Sequence, residues 1–181
     1  MTSISVENGW DARKVKERDE EIQKITELFG FDEVYRLNFP SAKLDTIPMS
    51  DLVSKISEIF TSYEPEEVFV PHPSDIHTDH RVVFDAVASC TKWFRYPSVK
   101  RVLAYETISE TDFNLVPSNI FRPNTFVNIE SFLADKLKAM DIYSSEMKPF
   151  PFPRSKEAIT AIATVRGASA GFKAAEAFEL L

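Results

Sequence analysis

Pro71-His72-Pro73-Ser74-Asp75-Ile76-His77-Thr78-Asp79-His80 gathers all three histidines of the chain and two aspartates into ten residues, directly after the apolar run Val68-Phe69-Val70. Continuous rather than alternating apolarity points to a strand covered on both faces, as in a parallel sheet. The cluster therefore sits at the end of a strand. Histidine supplies the neutral nitrogen that zinc favours, aspartate orients an imidazole through its other ring nitrogen, and both groups move protons near neutrality. The competing reading is a polar strand-to-helix turn in which one histidine caps the helix and the others are solvated. The density of the cluster favours a site.

Working outward, helical and strand signals alternate. Residues 11–29 are highly charged, carry Ile22, Ile25, Leu28 and Phe29 at helical spacing, and stop at Gly30. Residues 34–39 read as a short strand ended by Pro40. Ser50 can cap a second helix whose inward stripe is Leu52, Ile56, Ile59 and Phe60, closed before Pro65. Beyond the cluster, Val83, Ala86, Val87, Cys90 and Phe94 recur at helical spacing, and Val102-Leu103-Ala104-Tyr105 makes another strand. A helix is expected over 129–143, with Phe132, Leu133, Leu137 and Met140 as its apolar face. Pro149, Pro151 and Pro153 force an extended connector, and the alanine-rich stretch 155–181 reads as helical, interrupted at Gly167 and Gly171. Strand, helix, strand, helix, strand is the pattern of an α/β fold with a mostly parallel sheet, built from right-handed crossovers. Ligands of such sheets sit beyond the carboxyl ends of the strands, where the cluster and Glu106 both fall.

Composition narrows the partners. The 181 residues, 44% hydrophobic and 12% aromatic, suit one globular domain over 1–181 with a substantial core. A net charge of −7 without a basic cluster argues against nucleic acid and anionic membranes, so small molecules become the default partner. Cys90 is the only cysteine, which suits a cytoplasmic location and reads as a small buried hydrophobe. No apolar stretch has the length of a bilayer span.

At Asp75-Ile76-His77-Thr78-Asp79-His80 the chain resembles the second signature of the PIG-L/LmbE-like family of zinc-dependent N-deacetylases. The order of segments is similar too: Ala104-Tyr105-Glu106, then Val127-Asn128-Ile129, Lys136, Ala139, Tyr143-Ser144-Ser145-Glu146, Arg166-Gly167 and Ala175-Glu176-Ala177-Phe178. The resemblance implies a Rossmann-like three-layer fold and a hydrolase that removes acetyl from an N-acetylated amino sugar by zinc-assisted attack of water on the amide. It also implies that His80 binds the zinc, that His77 polarises the carbonyl and steadies the oxyanion, and that Asp79 orients His77. Residues three apart at the opening of a helix share a face, so His77 and His80 can converge, and the helix dipole disfavours imidazolium there. Asp75 either anchors a ligand or caps the loop. His72 has no counterpart in the family and reads as a neighbour of the substrate or a solvated loop residue. Arg166 either binds substrate oxygens or fastens the C-terminal segment, and Glu176 reads as a structural partner.

The family's first signature, a His-Pro-Asp-Asp segment that supplies two zinc ligands and the general base, is absent. The expectation is a chain lacking its first strand and helix: a fragment, a misplaced start or half of a split enzyme. Its partner would be a complementary N-terminal segment or a second copy of itself. Two other readings stand beside the deacetylase. One is a non-catalytic relative that binds a sugar or a partner subunit, and the other is a metallohydrolase whose site is built from His72, Asp75, His77 and His80 alone.

Overall fold

A computed structural model describes residues 2–116 and 118–181. The fold is α/β, as expected, and its chain divides into two compact units. The first comprises Leu37–Thr125 with the short terminal pieces Met1–Ser3 and Ala177–Leu181. The second comprises Ile4–Arg36 and Phe126–Glu176.

In the first unit, β1 (Thr2–Ser3) pairs in parallel with β2 (Phe39–Pro40) as a separate two-stranded ladder. The strand expected over 34–39 thus shrinks to its last residue plus the proline, because the pairing partner offers only two residues. Helix α2 (Met49–Tyr63) buries Leu52, Ile56 and Phe60, one stripe at helical spacing. Its N-terminus begins after Pro48 with no side-chain cap, so Ser50 does not have the capping role expected of it. Strand β3 (Glu67–Pro71) leads through the histidine loop into α3 (Thr78–Ala88), and β4 (Arg101–Tyr105) follows. Leu44, Leu52, Ile56, Phe60, Ala86 and Cys90 form the buried centre of this unit, with Val68, Val83 and Tyr96 packed against it. Phe94 lies outside it, exposed beyond the end of α3.

The larger sheet has the order β3-β4-β6-β5, where β5 is Thr125–Asn128 and β6 is Ala175–Leu180. β3 and β4 are parallel and in register from Glu67 opposite Arg101 to Pro71 opposite Tyr105, whereas β6 runs antiparallel to β4. The sheet is therefore mixed rather than mostly parallel. Strand β3 forms its edge, and Phe69 in the middle of that strand is 50% exposed, so β3 is not covered on both faces.

In the second unit, α1 (Ala12–Phe29) starts at the Asp11 side chain and stops at Gly30 in the left-handed conformation. Its buried positions are Ile25 and Glu21, with Phe29 half exposed. Glu21 tolerates burial because Arg18 lies 3.3 Å from it, and Arg18 also pairs with Glu146, which takes Arg154 at 2.8 Å. Helix α4 (Leu133–Ile142) is shorter than expected and leaves Phe132 exposed. Helix α5 (Lys156–Ala170) runs straight through Gly167 and ends on Gly171. The chain from 175 onward is strand, not helix: alanine propensity is weak, and pairing with β4 overrides it. Among the described residues, no helix is long and apolar enough to cross a membrane.

Candidate active site

The carboxyl end of β3 delivers the histidine loop, and the register of Pro71 opposite Tyr105 brings Glu106 out at the same end of the sheet. The loop closes on itself through the Asp75 N–H, which donates to the His72 carbonyl at 3.1 Å. Arg81, one turn into α3, donates to the carbonyls of Asp75 and Ile76 at 3.0 and 3.1 Å. His77 is the N-cap of α3: its Nδ1 accepts the backbone N–H of Asp79 at 3.1 Å, a task usually done by a serine or aspartate oxygen. An amide N–H can only donate, so Nδ1 of His77 carries the lone pair and Nε2 carries the proton.

His80 has the opposite assignment. Its Nδ1 lies 2.8 Å from Oδ2 of Asp75, and a carboxylate can only accept, so the His80 proton sits on Nδ1 and the lone pair on Nε2. The two rings stack with centroids 4.7 Å apart and planes 13° apart. The loop thus presents a stacked imidazole pair, one with an N–H and one with a bare nitrogen. Asp75, fully buried, takes its other bond from the Thr111 hydroxyl at 2.5 Å. Burial, reinforced by the negative charge of Asp75, pushes the Tyr105 phenol up to about 12, so a neutral ring flanks the carboxylate.

The remaining residues of the cluster face elsewhere. Asp79 turns its carboxylate to the backbone N–H groups of Ala42 and Leu44, at 2.7 and 3.1 Å, so its amide rather than its side chain holds His77. His72 is 2% exposed, not solvated. Its Nδ1 accepts from the Ser74 N–H, its Nε2 faces Glu179 at 3.4 Å, and its ring meets Phe121 edge-on. With both nitrogens engaged, His72 has none to give a metal. The four-residue site of His72, Asp75, His77 and His80 is therefore not assembled. Among the described residues, no group of three or more histidine, cysteine, aspartate or glutamate side chains is arranged to hold a metal ion.

Arg166 lies on α5 of the second unit, where Glu176 pairs with Lys136 at 2.6 Å. Sequence reasoning missed Thr111 altogether. It stands 36 residues from Asp75 in a loop with no motif, and only the folded chain brings the two together.

Residues 3–91, which span this whole site loop, match the family model for PIG-L, GlcNAc-PI de-N-acetylase. That match supports the resemblance to the PIG-L/LmbE-like family. The uncharacterized deacetylase YaiS of Escherichia coli K12 is 25% identical over 71% of this chain and 66% of its own length. Among solved structures, the N,N'-diacetylchitobiose deacetylase of Pyrococcus horikoshii, complexed with an inhibitor, superposes with a TM-score of 0.72 at 21% identity. That likeness covers 92% of this chain and 64% of that enzyme. The conserved protein TT1542 of Thermus thermophilus gives 0.73 at 24% identity, over 90% of this chain and 72% of that one. The zinc-inhibited form of teicoplanin deacetylase Orf2 gives 0.66 at 16%, over 94% and 76%. These superpositions show a shared fold. The chain spans about two thirds of the length of YaiS and 64% of the Pyrococcus enzyme.

Proposed function

We propose that this chain carries part of the catalytic centre of an N-deacetylase, a hydrolase that removes acetyl from an N-acetylated amino sugar or sugar conjugate. The observation that carries the reading is the opposite tautomeric state of the stacked pair: an N–H on His77 Nε2 and a lone pair on His80 Nε2. Amide hydrolysis needs a donor for the oxygen that becomes negative as the carbonyl turns tetrahedral, and His77 supplies one. The deacetylase names of the family model, of YaiS and of two of the superposed proteins support this choice.

Zinc fits His80 in one respect. A ligating histidine commonly donates its other ring N–H to a carboxylate, and Asp75 accepts that hydrogen bond from His80. When bound, zinc would acidify a water toward neutrality and so furnish the nucleophile. A catalytic zinc needs about three protein ligands, and the described residues do not assemble them. We therefore assign to a complementary N-terminal segment the remaining ligands and the general base, and propose a cytoplasmic setting for the complete enzyme. The incomplete ligand set equally favours a second reading, a sugar-binding relative without activity.

The experiment is acetate release from N-acetylated amino sugars with zinc supplied. It compares the chain alone with the chain extended through a segment bearing His-Pro-Asp-Asp. Release only by the extended protein supports the assignment. Release by the chain alone overturns the need for a second segment, and release by neither leaves the binding relative.

A further inference from the structure

We propose that Thr111 is a positioning residue of this centre, whose hydroxyl sets the Asp75 carboxylate and, through it, the tautomer of His80. The argument is one of direction. The Thr107 N–H donates to Thr111 Oγ at 2.7 Å, so that oxygen is already an acceptor and its own proton must point away. The acceptor it meets is Asp75 Oδ1 at 2.5 Å. Oδ2 is then the oxygen left for His80 Nδ1. The donors thus converge on Asp75 from two sides, the Thr107 amide through the Thr111 hydroxyl onto Oδ1 and the His80 imidazole onto Oδ2, because a carboxylate can only accept.

The loop that carries Thr111 is built to hold it there. The N–H groups of Glu110 and Thr111 both donate to the Thr107 carbonyl, at 3.0 and 2.9 Å. The Ile76 N–H donates to the Glu110 carbonyl at 3.2 Å, fastening the loop after β4 to the loop after β3. Ser109 adopts a φ of 81°, a conformation few L-residues take, to complete the turn. Thr111 is buried, so no water replaces its hydroxyl. Without it, Asp75 would keep a desolvated oxygen with no partner and would lose the bond that fixes the plane of its carboxylate against His80. The tautomer of an imidazole is set by the hydrogen bond its other nitrogen makes, so a loosened Asp75 lets His80 place its proton on Nε2 and withdraw the lone pair.

The value of this tautomer to the reaction rests on His80 acting in the proposed deacetylase, but the tautomer itself is measured without metal or substrate. The test is a long-range proton–nitrogen NMR correlation of the labelled chain at a pH where imidazole is neutral. In the wild type His80 should show a protonated Nδ1, and His77, held by the Asp79 amide, a protonated Nε2. Thr111→Val keeps the shape and removes the hydroxyl. It should lower the His80 Nδ1–H to Nε2–H ratio by about tenfold, in line with losses at groups that orient metal ligands, and leave His77 unchanged. Thr111→Ser should restore the ratio to within about twofold. A valine variant with the wild-type ratio, or a serine variant that behaves like valine, overturns the proposal. Should the valine variant not fold, the wild type still decides: the Thr111 hydroxyl proton should be visible and slow to exchange with water, and a freely exchanging one overturns the proposal.

Discussion

Asp79 Oδ2 accepts a 2.7 Å hydrogen bond from the backbone N–H of Ala42, across 37 residues of chain. Ala42 has a φ of 57°, a left-handed conformation that costs a residue with a Cβ on the order of 1 kcal/mol. The same carboxylate takes the N–H of Leu44, a fully buried residue of the core. Asp79 is thus the clasp that holds the 42–44 turn against the start of α3, and it leaves His77 to its own backbone.

That relationship changes what Asp79→Asn should do. A carboxamide offers one acceptor oxygen, and its NH₂ would confront the second backbone N–H. Unfolding free energy should fall by about 1–3 kcal/mol, the range for a buried polar group left unpaired. Urea melts of the two proteins measure it, and equal midpoints and slopes would show that the clasp is dispensable.

His77 differs, because beside capping α3 its proposed chemistry is on the transition state and not on the metal. In the complete enzyme His77→Ala should lower kcat by on the order of a hundredfold, leaving KM and zinc content nearly unchanged. Acetate-release kinetics with metal analysis separate the effects. Loss of zinc in this variant would mean that His77, not His80, is the ligand.

Gly167 sits inside α5, where alanine would ordinarily stabilise by about 1 kcal/mol. Here an added Cβ would lie 2.7 Å from the Phe172 carbonyl oxygen and 2.8 Å from the Ala174 nitrogen, both backbone atoms of the turn that returns into β6. Gly167→Ala should therefore destabilise, by about 1–3 kcal/mol, as overpacking does. A rise in Tm would show that the turn moves freely.

Tyr105 makes stability depend on alkali. Burial first, then the charge of Asp75, raises its phenol from 10.0 to about 12, so between these values the unfolded chain releases a proton that the folded chain keeps. Fewer protons on the unfolded state mean that stability falls as pH rises, here from about 10 to about 12. The loss should be on the order of 2 kcal/mol. Tyr105→Phe should remove that share of the decline, seen as a difference between the two proteins' melts across this range. Parallel curves would mean that Tyr105 is solvated.

The sequence alone was enough for what local chemistry determines. Asp11 and Gly30 mark the ends of α1 because a carboxylate can cap free amides and glycine can enter the left-handed region. Leu52, Ile56 and Phe60 are buried together because their spacing matches the helical repeat. The Asp75–His80 run announced the family by its residues alone.

Tertiary structure decided whatever depends on which distant group arrives. The 175–180 segment is a strand because β4 offers its edge, against the leaning of its alanines. Phe69 is half exposed although the run Val68-Phe69-Val70 reads as buried on both faces, because nothing among the described residues covers its face of β3 fully. His72 was written into the same motif as His77 and His80, yet Glu179 and Phe121 bury it in a different role. Asp79 left its neighbouring histidine for Ala42 and Leu44, and Thr111 reached Asp75 from a loop that carries no signal. A hydrogen bond needs its partners within about 3 Å, and separation along the chain says nothing of that distance until the backbone has folded.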